Sequence, residues 1–213
     1  MITLPTLERI DSPSGRLYKT PDGNLYPSVT TILSAGDNHD YLKEWRDRVG
    51  EKEANEISLR ATRRGSRIHL YCENHLQGIE NKFHPHDLDK QSYMSLVPLL
   101  NNVSDVQCIE AALYSDKLKA AGTVDCIARY NGILSVIDWK TSKREKHRDD
   151  IHSYFIQTSA YAYMFYERTG VIIDKLVIVM AVDHDKPLVF EENTSEWFPK
   201  FVDIRKKYSQ ILK

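Results

Sequence analysis

The dipeptide Asn131-Gly132, set between two β-prone runs, leaves the chain little conformational choice. A type I′ turn needs positive φ at both central positions, and this pair tolerates it best. Val124, Ile127 and Tyr130 precede the turn, and Ile133, Leu134, Val136 and Ile137 follow it, so the segment reads as a β-hairpin. With Tyr130 opposite Ile133, the register sets Arg129 against Leu134, Ile127 against Val136 and Asp125 against Asp138. Opposed Cβ atoms lie about 4.5 to 5.5 Å apart. Residues two apart share a face, so Lys140 projects beside Asp138.

Two carboxylates that close repel, and one stays protonated unless a cation lies between them. One or two divalent ions would remove the conflict, and hard oxygen ligands favour Mg²⁺ or Mn²⁺ over Zn²⁺. Lys140, when protonated, is no ligand. It could orient or deprotonate a water, or stabilise charge building on a phosphate. A plain ion cluster at a sheet end, with Lys140 neutralising two acids, accounts for the hairpin equally well when the hairpin is taken alone.

Around the hairpin the 213 residues suffice for one α/β domain. Residues 1 to 25 look like an irregular or short-strand lead-in. Ser28 is a helix N-cap before Val29, Ile32 and Leu33. Helices are expected from about Asp40 to Ser58, with Tyr41, Trp45 and Val49 on one face, and from about Thr62 to Leu76. A further helix falls within "HPHDLDKQSYMSLVPLL" and ends near Leu100. From Val106 the period changes to that of strands, "VQCIEAALYS" and then the hairpin. A helix from Ile151 to Arg168 follows, capped by Gly170, then a strand from Lys175 and a helix from about Ser195 to Leu212. Both hairpin faces are largely apolar, which implies helices on both sides of the sheet. The expectation is a single domain over 1–213, with a helical part in 1–105 and the sheet core in 106–213.

Composition excludes some classes of function. No apolar run nears the roughly 18 residues of a membrane span. The start does not read as a secretory or organellar leader, so none is expected, and the expected location is cytoplasmic, in a bacterium or a phage-infected host cell. Cys72, Cys108 and Cys126 form neither an even disulfide set nor a CxxC pair. A net charge of −1 argues against an indiscriminate polycation, but two basic runs stand out. One holds Arg60, Arg63, Arg64 and Arg67; the other begins at Lys140 and carries Thr141, Ser142 and Lys143, candidates for contact with a strand. Runs of this kind are more often solvated faces. His69 and Glu73, four apart, share a helix face, as do Gln157 and Tyr161, an amide and a phenol able to bond a phosphate or stack on a base. Glu110, on the first core strand, is a further candidate carboxylate.

Taken in order, "GSRIHLYCE", "GTVD", "DWK" and "QTSAY" resemble the motif series of the PD-(D/E)xK nuclease superfamily, and within it the RecB-like exonucleases. "YPSVTTIL" and "VIDWKTS" bring the chain nearer to the mitochondrial genome maintenance exonuclease type and its phage and bacterial relatives. The resemblance runs from about Tyr26 into the last helix. It implies a restriction-endonuclease-like core, a central mixed β-sheet flanked by helices, with an N-terminal helical elaboration. It implies that Asp125, Asp138, the Trp139 carbonyl and His69 hold the metal, with Glu110 or Glu73 as additional candidates. Lys140 becomes the catalytic lysine, and Gln157 and Tyr161 position substrate or lysine. Some relatives carry an iron-sulfur cluster on four cysteines; with three here, none is expected. The implied activity is a metal-dependent exonuclease on DNA, with single-stranded ends as the preferred substrate, acting as a monomer. A duplex-resecting exonuclease, a structure-specific endonuclease, and a non-catalytic DNA-binding protein on a degenerate scaffold remain the alternatives.

Overall fold

The computed structural model describes residues 4–36, 40–83 and 88–211. Its centre is a five-stranded sheet in the order β4 (Val103–Ser115), β5 (Ala120–Tyr130), β6 (Ile133–Ser142), β7 (Lys175–Val182) and β8 (Leu188–Asn193). Only the β6–β7 pair is parallel; the others are antiparallel. A parallel pair needs a long crossover. Here it is a short 3₁₀ turn (Arg148–Ile151) followed by α5 (His152–Thr169), which ends at Gly170 with a φ of 75°. The mixed sheet flanked by helices is thus as expected.

Strand alternation sorts the core into two layers. Val136, Leu176, Ile178 and Met180 face the cluster containing Phe155, Ile156 and Phe165 of α5. Ile137, Trp139, Val177 and Val179 face Ile68, Tyr71 and Cys72 of α3 (Glu51–Gln77), with Leu96 and Leu100 of α4 (Leu88–Leu100). Helix α6 (Thr194–Ile211) adds Trp197 and Phe201 to the α5 layer. No helix among the described residues is long and apolar enough to cross a membrane.

Several boundaries differ from expectation. The lead-in takes the short-strand form of the expectation, as a three-stranded sheet, β1 (Glu8–Ser12), β2 (Gly15–Lys19) and β3 (Leu25–Pro27), the last running past residue 25. It docks on β5 through Tyr18 and Tyr26, which pack with Tyr114 and Ala121, and Tyr18 Oη lies 3.0 Å from Thr123 Oγ1. Ser28 caps α1 (Val29–Ser34) as expected, accepting from Thr31 N at 3.0 Å. The next two helices divide at Gly50, not near residue 60: α2 is Asp40–Val49 and α3 runs unbroken for 27 residues. Gly50, at a φ of 89°, makes that corner, because only glycine takes such a φ without strain. The sheet core opens at Val103 and not Val106, and β8 is an additional edge strand. The face expected at Tyr41, the helix start at residues 84–87 and the end at Leu212 lie outside the described residues.

Candidate active site

The hairpin forms with the expected register. Asn131 and Gly132 have φ of 49° and 82°, and the paired residues run from Tyr130–Ile133 through Ile127–Val136 to Cys126–Ile137. There the β5–β6 ladder stops, one pair short of the two aspartates. Asp125 turns its side chain to β6 instead, and its Oδ2 accepts from the Trp139 main-chain N–H at 2.9 Å.

The other neighbour, β4, departs at the same level. Glu110 stands across from Asp125, between the pairs Ile109–Cys126 and Ala111–Val124, and has a φ of 45°. A single left-handed residue breaks the two-residue alternation. Ile109 and Cys126 therefore face the α3 layer, while Ala111 and Val124, two residues on, face the α5 layer.

Helices on opposite faces of the sheet reach into this break. From α3, His69 Nδ1 comes within 3.4 Å of Asp125 Oδ2 and 3.7 Å of Glu110 Oε1. One ligand atom from each of His69, Glu110 and Asp125 lies within 4.8 Å of the others. From α5, Gln157 Nε2 sits 3.5 Å from both Asp138 Oδ1 and Tyr161 Oη. Lys140 Nζ lies 2.5 Å from Asp138 Oδ2 and 4.9 Å from the centre of the Tyr154 ring. This buried carboxylate oxygen therefore has the ammonium as its close ionic neighbour.

The electrostatics of the group are strained. Burial pushes the Asp138 carboxyl up to about 6, against the pull of Lys140. Burial likewise raises Asp125, partly offset by His69 and Lys140. Burial works against a charge on His69, but Asp125 and Glu110 outweigh it and lift the imidazole to about 8. For Lys140, too, burial opposes the charge, and Asp138 and Asp125 more than restore it, holding the ammonium above its ordinary range. Three carboxylates against two nitrogen cations in a largely desolvated pocket is an arrangement that a divalent cation would relieve.

The donor set fits such an ion. Ligand atoms around a cation with bonds near 2.1 Å stand about 3 to 4.2 Å apart, and the His69 contacts fall in that range. The two carboxylates suit Mg²⁺ or Mn²⁺, and the imidazole is matched better by Mn²⁺ than by Mg²⁺. Glu110, not Glu73, stands in the group: Glu73 is one turn beyond His69 and accepts from Gln77 Nε2. Asp138 stands beside the group and is held by Lys140.

The remaining expected contacts divide. Arg64 is tied to Asp183, to Ser92 and, at 3.4 Å, to Asp89. Arg67 pairs with Asp89, and Arg60 with Glu56. These pairings neutralise part of the basic run, leaving Arg63 without an ion pair among the described residues. Thr141 and Ser142 continue β6 past Lys140, and Lys143 follows just beyond its end; the Ser142 hydroxyl donates to Arg144 O at 2.6 Å, and Lys143 is exposed. Tyr154 was not singled out by any motif, although it lies one helical turn before Gln157. Gly122, in contrast, acquires a reason: a Cβ there would sit 2.8 Å from both Cε1 and Oη of Tyr161. Two of the sequence motifs are therefore one contact.

No family model matches the chain. Similar proteins are mitochondrial genome maintenance exonuclease 1 of Mus musculus, 33% identical over 144 residues, covering 64% of this chain and 43% of that protein, and its Homo sapiens counterpart, 33% identical over 153 residues, covering 65% and 44%. The chain spans less than half the length of the curated relatives it matches. A solved Eubacterium rectale protein described as a candidate exonuclease overlays with a TM-score of 0.42 at 10% identity, covering 68% of each chain. The similarity to the mitochondrial proteins bears out the resemblance read from the motifs.

Proposed function

We propose that this protein is a Mg²⁺- or Mn²⁺-dependent deoxyribonuclease that removes nucleotides from DNA ends, with single strands preferred. The observation that carries the proposal is the convergence of His69, Glu110 and Asp125 on one point, beside a buried Asp138 paired with Lys140. The relatives named as exonucleases support it. The reading treats residues 1–213 as one catalytic domain.

His69, Glu110 and Asp125 would hold the cation, with Asp138 and the Trp139 carbonyl alongside. Bound there, the ion would supply Lewis-acid polarisation of the phosphate. The remaining chemistry belongs to the chain. The Trp139 N–H fixes Asp125 Oδ2, the oxygen that faces His69, at 2.9 Å, so this carboxylate is held in a set direction. Lys140 is kept protonated by Asp138 and Asp125. It therefore serves as a fixed positive charge for the phosphate oxygens as negative charge builds, and can orient the attacking water. Gln157 holds Asp138 from the α5 side, and Tyr161 backs Gln157. Arg63 and Lys143 are exposed cations for sequence-independent phosphate contact.

A cleavage assay on single strands, duplexes and closed circles labelled at either end tests the proposal. Cleavage of the linear strands should require Mg²⁺ or Mn²⁺, stop with EDTA, spare the circle, and vanish in Lys140→Ala with folding intact. Normal cutting by Lys140→Ala, or cutting in EDTA, refutes it.

A further inference from the structure

One motif residue has no work to do within the fold. Gly65 lies deep inside α3, 14 residues from Glu51 and 12 from Gln77, where glycine is among the poorest helix formers. A glycine in such a place usually serves a positive φ, a helix end or a crowded contact. Gly65 is not among the positive-φ residues, it is far from either end, and a Cβ there would meet nothing within 4 Å. What it borders is an opening of about 600 Å³ shared with Ser66, His69 and Glu110.

Its place on the helix matters. Gly65 and His69 are one turn apart on the same face, and helical side chains lean toward the N-terminus. The His69 ring therefore leans toward the turn that contains Gly65, yet stays more than 4 Å from where a Cβ at Gly65 would lie. A group entering the opening toward His69, Glu110 and Asp125 passes the bare α-carbon of Gly65.

We propose that Gly65 is a clearance residue: the side chain it lacks is the room in which the sugar-phosphate backbone of a nucleic-acid strand lies against α3, within reach of the carboxylate-imidazole cluster. This rests on the nuclease reading above and deepens it by locating where the strand comes closest to the protein. The Ser66 hydroxyl beside it is suited to donate to a phosphate oxygen. The helix accepts a less stable residue so that the strand can approach.

The inference predicts opposite changes in stability and activity, which a structural role for the glycine would not give. Gly65→Ala and Gly65→Leu are made in the full chain, and Tm, Mn²⁺ binding by calorimetry, and cleavage and binding of a 5′-fluorescein oligo-dT strand are measured. Gly65→Ala should raise Tm by roughly 2 to 4 °C and leave the Mn²⁺ affinity unchanged. It should lower kcat/KM at least about tenfold, and Gly65→Leu should lower it further. Full activity in Gly65→Ala overturns the inference. So does a fall in Tm, which would make the glycine a need of the fold, or a loss of Mn²⁺ binding, which would make it a need of the metal site. A wild-type chain that cuts nothing would sink the nuclease reading alone; strand binding in the same samples then decides, weakened by Gly65→Ala if clearance holds and unchanged if it does not.

Discussion

Gly122→Ala should damage the site from a position that carries no functional group. Gly122 has no positive φ, so the backbone itself accepts alanine, and the test isolates one contact. The added methyl would lie 2.8 Å from Cε1 and Oη of Tyr161 and 3.2 Å from Cζ. Ordinary contact begins near 3.4 Å, so the ring must retreat by 0.6 Å. It has little room, because Tyr161 is 3% exposed and packed in the α5 layer. Overpacking of this kind costs about 1 to 3 kcal/mol, equivalent to roughly 2 to 12 °C in Tm for a chain of this length. Activity should fall with it. Tyr161 Oη is already 3.5 Å from Gln157 Nε2, which is 3.5 Å from Asp138 Oδ1, and a further 0.6 Å breaks the first link. The assay is a double-mutant cycle: Tm and kcat for wild type, Gly122→Ala, Tyr161→Leu and the pair. Loss of the ring removes the clash, so the double variant should be more stable than the two single changes sum to, by about 1 kcal/mol or more. An unchanged Tm in Gly122→Ala, or strict additivity, refutes the reasoning.

Two further perturbations follow from contacts elsewhere. The Tyr154 ring 4.9 Å from Lys140 Nζ should position the ammonium, an effect of about 1 to 2 kcal/mol. Tyr154→Phe should keep kcat near wild type while Tyr154→Leu loses about five- to thirtyfold; equal rates for the two variants would remove the role. Glu192, hydrogen-bonded by Arg148 and, at 3.2 Å, by Trp197 Nε1, is held below its ordinary value of 4.5. Its contribution to stability is therefore complete above about pH 4.5 and lost as pH falls through the lower folded value. The Tm advantage of wild type over Glu192→Gln should be present at pH 7 and shrink below about pH 4; an advantage constant with pH would contradict it.

What could be read from the sequence was local. Asn131-Gly132 fixed its own turn, and the turn fixed the register for the pairs that follow it, since each rung depends on the last. Gly170 and Ser28 marked helix ends for the same reason, each acting on its own neighbours. The α2–α3 boundary was also local, at Gly50, but the helical spacing of Tyr41, Trp45 and Val49 ran up to it, and the polar residues after it gave no signal of a break. β8 was obscured by Glu191 and Glu192, which an edge strand tolerates. The arginine run shows the opposite limit. The residues that occupy Arg64 and Arg67 are Asp89, 22 residues from Arg67, and Asp183, 119 from Arg64, and no pattern within α3 could announce them.

The aspartates show where local reasoning stops being sufficient. A regular ladder carried one rung further would set Asp125 and Asp138 side by side on a single face, within reach of α5 alone. The structure ends the ladder at Cys126–Ile137 and reverses the alternation at Glu110 and Asp125. Because the two strands break together, the Asp125 carboxylate bridges to β6 through the Trp139 N–H in place of a main-chain rung. The gap admits His69 from one layer and Gln157 from the other. A cation site with an imidazole on one side of a sheet and a lysine-held carboxylate on the other requires such a break. The left-handed backbone at Glu110, at a cost of order 1 kcal/mol, stands at that break on the β4 side, and the same residue is the third member of the proposed cation group.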